Sequence, residues 1–149
     1  MRKWIACLVF IVAACSSTPG VSVAPGASAG TTGGTVSQAC ADAMAGFTDK
    51  IFELDSRLSV GMNFQSYSDH LADARVAYDK IKFNTLDADC ITNVGKPAED
   101  AFNEYVEAYN TWNDCIGKTG CSNDSIKSKL QDRWATATAT ITAIKTHLP

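Results

Sequence analysis

From Ser37 to Leu148, apolar residues recur at steps of four and three, the repeat of a helix with one buried face. The first stripe is Cys40, Met44, Phe47, Ile51, Leu54 and Leu58, with Ser37 placed to cap it and Gly61 to stop it. The second is Tyr67, Leu71, Ala74, Tyr78 and Ile81, opened by Ser66 with Asp69 three residues on, a variant of the capping box. The third is Ala98, Phe102, Tyr105, Tyr109, Trp112 and Ile116. Pro97 suits its first turn, Glu99 and Asp100 suit the positive end of its dipole, and Gly117 ends it. The fourth is Ile126, Leu130, Trp134, Ala137, Ile141, Ile144 and Leu148, capped by Ser122 or Asn123. Alternating Ala and Thr from Ala135 to Thr142 locally resembles a strand. The four-three spacing runs through it unbroken, which predicts helix. The interval Asn84 to Lys96 is the longest connection; it holds either a short helical turn near Asp87 to Asn93 or an early, kinked start of the third helix. These elements predict an all-α domain over residues 37–149, an antiparallel up-down-up-down four-helix bundle.

The chain begins with Met1, Arg2 and Lys3, followed by an uncharged apolar run from Trp4 to Ala14. A basic start, a short apolar stretch and small residues at its end describe a secretory signal. The run is about half the ~20 residues needed to span a bilayer as a helix. It ends in Val12-Ala13-Ala14-Cys15, which resembles the lipobox of bacterial lipoproteins. The resemblance covers residues 1–15 and no family is identified for the helical domain. It implies a signal peptide over residues 1–14, cleavage before Cys15 and a lipid, palmitate among its acyl chains, on that cysteine. Each buried methylene contributes roughly 0.8 kcal/mol, and two or more chains anchor stably. The implied location is the extracytoplasmic face of the cell membrane, or an outer membrane in an envelope that has one. The alternative is an ordinary secretory signal cut after Ala14, leaving Cys15 a free thiol.

Residues 16–35 hold only Gly, Ser, Thr, Pro, Ala and Val. Such a segment cannot bury enough apolar surface to offset its ordering entropy. Residues 15–36 therefore read as a lipidated cysteine and a flexible tether with a reach of roughly 25 Å; an O-glycosylated stalk fits the same composition.

Removing Cys7 with the signal and lipidating Cys15 leaves Cys40, Cys90, Cys115 and Cys121 of the 6 cysteines. An even number in an exported domain reads as disulfides. Three pairings exist. The up-down topology puts Cys40 and Cys90 at one end of the bundle and Cys115 and Cys121 at the other. Only Cys40–Cys90 with Cys115–Cys121 then satisfies the few ångströms that a disulfide spans. A metal site is disfavoured, because Cys115 and Cys121 lack CxxC spacing and have no histidine beside them.

Chemistry-bearing patterns are sparse. Without Arg2 and Lys3, the 13 basic residues fall to 11 against 16 acidic, moving the net charge from −3 to −5. That balance, with no Lys/Arg block, argues against a nucleic-acid partner. His70 lies one position before core Leu71, and His147 is near the C-terminus. No HExxH, phosphate loop or nucleophile elbow is present. Asp49, Glu53, Asp69, Asp73, Glu104 and Glu107 fall at helical spacings but off the apolar stripes, as on a solvated face. No catalytic residue, metal or cofactor is therefore expected, and the chain reads as a non-enzymatic binding or interaction module with an envelope protein as its partner. The aromatic excess of Tyr105, Tyr109, Trp112 and Trp134 on the last two helices marks the alternative, a pocket for a small apolar ligand between them.

Overall fold

The computed structural model describes residues 34–149. The signal, Cys15 and nearly all of the tether lie outside the described residues. Four long helices carry the domain: α1 (Gln38–Val60), α2 (Phe64–Tyr78), α4 (Lys96–Ile116) and α5 (Asn123–Lys145), with a one-turn α3 (Ala88–Cys90) before α4. No strand occurs among the described residues. The domain is a helical bundle in which α4 packs along α5 and α1 along α2. Further contacts join α2 to α4, and α1 to both α4 and α5.

Helix α1 follows its sequence pattern closely. The Ser37 hydroxyl accepts from the Cys40 N–H at 3.2 Å, satisfying one orphan donor of the first turn. Cys40, Met44, Phe47, Ile51 and Leu54 are buried, as the stripe requires. Gly61 ends the helix at φ 108°, a left-handed backbone that a Cβ would strain, and its N–H reaches the Arg57 and Leu58 carbonyls.

Helix α2 departs from expectation at its start. Its cap is Asn63, whose Oδ1 accepts from the Ser66 N–H at 2.9 Å. Ser66 is thus inside the helix rather than before it. An amide oxygen caps as well as a hydroxyl, and the earlier start sets Phe64 against Tyr109 and Trp112. Ile81 lies beyond the end of α2 but still packs on the core.

The connection into α4 contains both features the sequence allowed. Asp87 caps α3 by accepting from the Cys90 N–H at 2.7 Å. A π-helical turn, Ile91–Gly95, then runs directly into α4. Its cause is Pro97: in a continuous α-helix the proline would lack the N–H for the Asn93 carbonyl and its ring would press on that group. Widening the turn relieves the clash, and the Lys96 N–H bonds back to the Ile91 carbonyl. At the other end of α4, Ile116 is 59% exposed and outside the core where the pattern had placed it. It is the last residue of α4, next to the Gly117 cap.

Helix α5 is continuous through the Ala/Thr stretch. The hydroxyls of Thr136, Thr140 and Thr142 donate to the carbonyls four residues earlier, so the threonines bond to their own helix. Ser122 caps it, with Ser125 completing a reciprocal capping box. The last residues are tied down: the Val36 N–H donates to the His147 carbonyl at 2.7 Å, and Val36 itself is buried. The packed domain thus begins at Val36, one residue before the cap.

Two disulfides staple the domain. Cys40–Cys90 joins the first turn of α1 to the end of α3, and Cys115–Cys121 joins the last turn of α4 to the loop before α5, with Cα–Cα distances of 5.6 and 5.3 Å. These are the two pairs expected from the cysteine positions.

Candidate functional site

The most organised set of side chains is an aromatic and polar cluster contributed by all four long helices. Tyr67 on α2 and Tyr105 on α4 are fully buried. The Tyr67 hydroxyl donates to the Tyr105 carbonyl at 2.8 Å and accepts from Trp134 Nε1 on α5 at 3.2 Å. The Tyr105 hydroxyl donates to Asp55 Oδ1 on α1 at 3.0 Å, and the Thr138 hydroxyl of α5 donates to the same oxygen. Each buried hydroxyl therefore has a partner, as a low-dielectric interior demands. Burial pushes both phenols well above the ordinary tyrosine value, and the Asp55 carboxylate raises Tyr105 further by disfavouring a second negative charge.

Tyr67→Phe removes the hydroxyl that joins α2, α4 and α5 while keeping the ring. We expect it to destabilise the domain by roughly 1–3 kcal/mol, the effect of leaving Trp134 Nε1 and the Tyr105 carbonyl without that partner. A urea titration checks this: the midpoint should fall with the slope unchanged.

Around this network the rings pack in series. Trp112 lies 6.0 Å from Tyr67 and 6.1 Å from Trp134, ring centre to ring centre. Phe64 stacks on Tyr109 at 5.3 Å and meets Trp112 edge-on at 5.6 Å. A second group, Phe47, Tyr78, Phe83 and Phe102, fills the other end of the core, where the Tyr78 hydroxyl donates to Glu99 at 2.9 Å.

The four aromatic residues expected to line one pocket are placed differently from one another. Trp112 and Trp134 come together, half-buried, on a groove of about 200 Å³ between α4 and α5. Tyr109 lines another groove, of about 400 Å³, with Leu71, Phe102 and Val106 between α2 and α4. Tyr105 is core, its hydroxyl engaged by Asp55. Sequence reasoning missed Asp55, Tyr67 and Thr138 as partners of this cluster. The signal available was a carboxylate beside core Leu54 together with tyrosines on buried stripes, which must find acceptors.

The acidic residues spaced along the helices are exposed or half-exposed, and several hold surface ion pairs. Glu53 pairs with Arg57 at 2.9 Å, Lys50 with Asp73 at 3.9 Å and Glu104 with Arg133 at 2.8 Å. His70 is half-buried beside Ser56, Arg57 and Ser66 at the α1–α2 turn. Among the described residues, no group of three or more His, Cys, Asp or Glu side chains converges to hold a metal ion, and no helix is long and apolar enough to cross a membrane. No protein-family model, no curated protein and no solved structure matches this chain.

Proposed function

We propose that this chain is an exported lipoprotein, held on a membrane surface through lipidated Cys15, whose helical domain serves as a non-enzymatic binding or interaction module of the cell envelope. The observation that carries the reading is the passage from a basic start through a short apolar run into Val12-Ala13-Ala14-Cys15. Two features support it. Uncharged residues 16–35 suit a tether between anchor and domain. The two disulfides suit an oxidising, extracytoplasmic compartment. In this reading the four long helices run antiparallel, up-down-up-down. The short α1–α2 and α4–α5 connections favour that order, as does one disulfide at each end of the bundle. The partner is an envelope macromolecule rather than a nucleic acid, consistent with the acidic mature charge.

The test is fractionation of a secreting bacterial host that expresses the full chain. The native chain should sediment with membranes, resist a high-salt wash and be released by detergent. Cys15→Ser should leave the protein as unprocessed precursor or in the soluble fraction. Two proteins alike in both distribution and electrophoretic mobility, with neither cleaved differently from the other, would contradict the lipid anchor.

A second reading, a carrier or sensor of a small apolar ligand held between α4 and α5, is favoured by one observation: Trp112 and Trp134 share a groove there. Excess mass in a native mass spectrum, lost on unfolding, would favour it over the first.

A further inference from the structure

Helix α5 presents Asn123, Lys127, Leu130, Gln131 and Trp134 at helical spacing along the groove shared with Trp112 of α4. We infer that this groove is a binding site for a neutral saccharide. The inference deepens the binding-module reading by naming its ligand class, and it rests on that reading only in treating the domain as a binder.

The two indoles are fixed before any ligand arrives. Trp134 is held by its Nε1 bond to Tyr67. Trp112 is wedged among Phe64, Tyr67 and Trp134. Its plane is inclined 60° to that of Trp134, so the two rings form a corner rather than a flat stack. Because Trp134 spends its N–H inward, it has a π face rather than a donor to offer a ligand. A pyranose ring suits such a face: its axial C–H hydrogens are weakly positive and apolar, and an aromatic face is negative. Preorganised rings also avoid the ordering cost that a mobile side chain incurs on binding.

The remaining lining selects among ligands. Asn123, Asp124, Lys127 and Gln131 are all exposed, and none makes a side-chain hydrogen bond or ion pair among the described residues. Together they offer two amides, a carboxylate and an ammonium, donors and acceptors suited to a ring of hydroxyls. Asp124 and Lys127 carry opposite charges, so the rim is electrically balanced. Such a rim gives no net attraction to a ligand of either charge, which leaves an uncharged one as the fit. The groove's volume of about 200 Å³ is below the roughly 300–1,000 Å³ of sites for drug-sized molecules. It has room for one sugar unit of a longer chain that extends into solvent.

Isothermal titration of the full chain in mild detergent, with cellotriose and chitotriose as probes, tests this. Saturable binding is expected for at least one of them, with Kd on the order of 0.1–10 mM. Trp112→Ala should abolish it. Because Trp112 also packs against the core, the exposed-site variants Asn123→Ala and Gln131→Ala are the discriminating ones. Each should weaken binding by about tenfold, the worth of one hydrogen bond to a ligand, with an unchanged circular dichroism spectrum. No heat with either sugar up to about 10 mM, unaltered affinity in both exposed-site variants, or saturation by tetramethylammonium instead would overturn the inference. Sugar binding depends only on the groove. Its failure in a chain that still fractionates with membranes sinks this inference alone, and success in an unlipidated chain leaves it standing without the anchor.

Discussion

Replacing Cys40 and Cys90 together with alanine should lower the unfolding free energy by about 4 kcal/mol, the loop-entropy effect for a closure of this size. The two cysteines are 50 residues apart, so reduction releases a loop that includes α1, α2 and the connection to α3. Both are buried, and alanine leaves no polar atom unpaired there. Cys115 and Cys121 are only 6 apart. Their double replacement should cost roughly 2 kcal/mol in the same framework. Urea titrations of the two variants in parallel check the order as well as the size. Equal losses would mean that local packing, not closure of the unfolded chain, sets the contribution of the bridges. With net stabilities of roughly 5–15 kcal/mol for domains of this kind, the Cys40/Cys90 variant should be visibly marginal.

Phe47→Ala should destabilise by about 3–5 kcal/mol and lower Tm by roughly 15 °C. Phe47 is 1% exposed and is the α1 side chain around which the second aromatic group assembles. It meets Tyr78 of α2 edge-on at 5.2 Å and Phe102 of α4 edge-on at 5.6 Å. Truncation removes both edge-to-face contacts and leaves a void where three helices meet, so transfer and cavity effects act together. Phe47→Leu fills most of the space and should recover more than half of the loss. Scanning calorimetry of the three proteins checks this. An alanine variant within about 1 kcal/mol of the native chain would mean that the helices close over the gap.

What was legible in the sequence and what was not divides along physical lines. The stripe from Cys40 to Leu54 could be read because α1 buries one face throughout, and a 3.6-residue period records burial directly. The disulfide pairs were legible because connectivity and span leave little freedom once helix order is set. The start of α2 was misplaced because Asn63 and Ser66 are both competent caps. The choice between them was made by the packing of Phe64 on Tyr109 and Trp112, a contact distant in sequence. Ile116 fits the periodicity yet is exposed: it is the last residue of α4, and periodicity does not record which positions a helix end leaves uncovered. The polar network was hidden for a related reason. Asp55 lies 50 residues from Tyr105 and 83 from Thr138, and no local pattern marks a carboxylate at the edge of a stripe as an acceptor for a buried phenol. Of the four aromatics grouped from sequence, only Trp112 and Trp134 line one groove, because helical rotation turns Tyr109 toward α2 and Tyr105 into the core.

The proposed function rests on lipidation of Cys15, and the mass of the mature N-terminal peptide is its decisive test. The full chain, expressed in a secreting bacterial host and extracted in detergent, would be digested and its N-terminal peptide analysed by tandem mass spectrometry. The expected peptide begins at Cys15 and carries a thioether-linked diacylglyceryl group on its sulfur. An N-terminal peptide that retains Met1, or one that begins at Cys15 with an unmodified thiol, would contradict it.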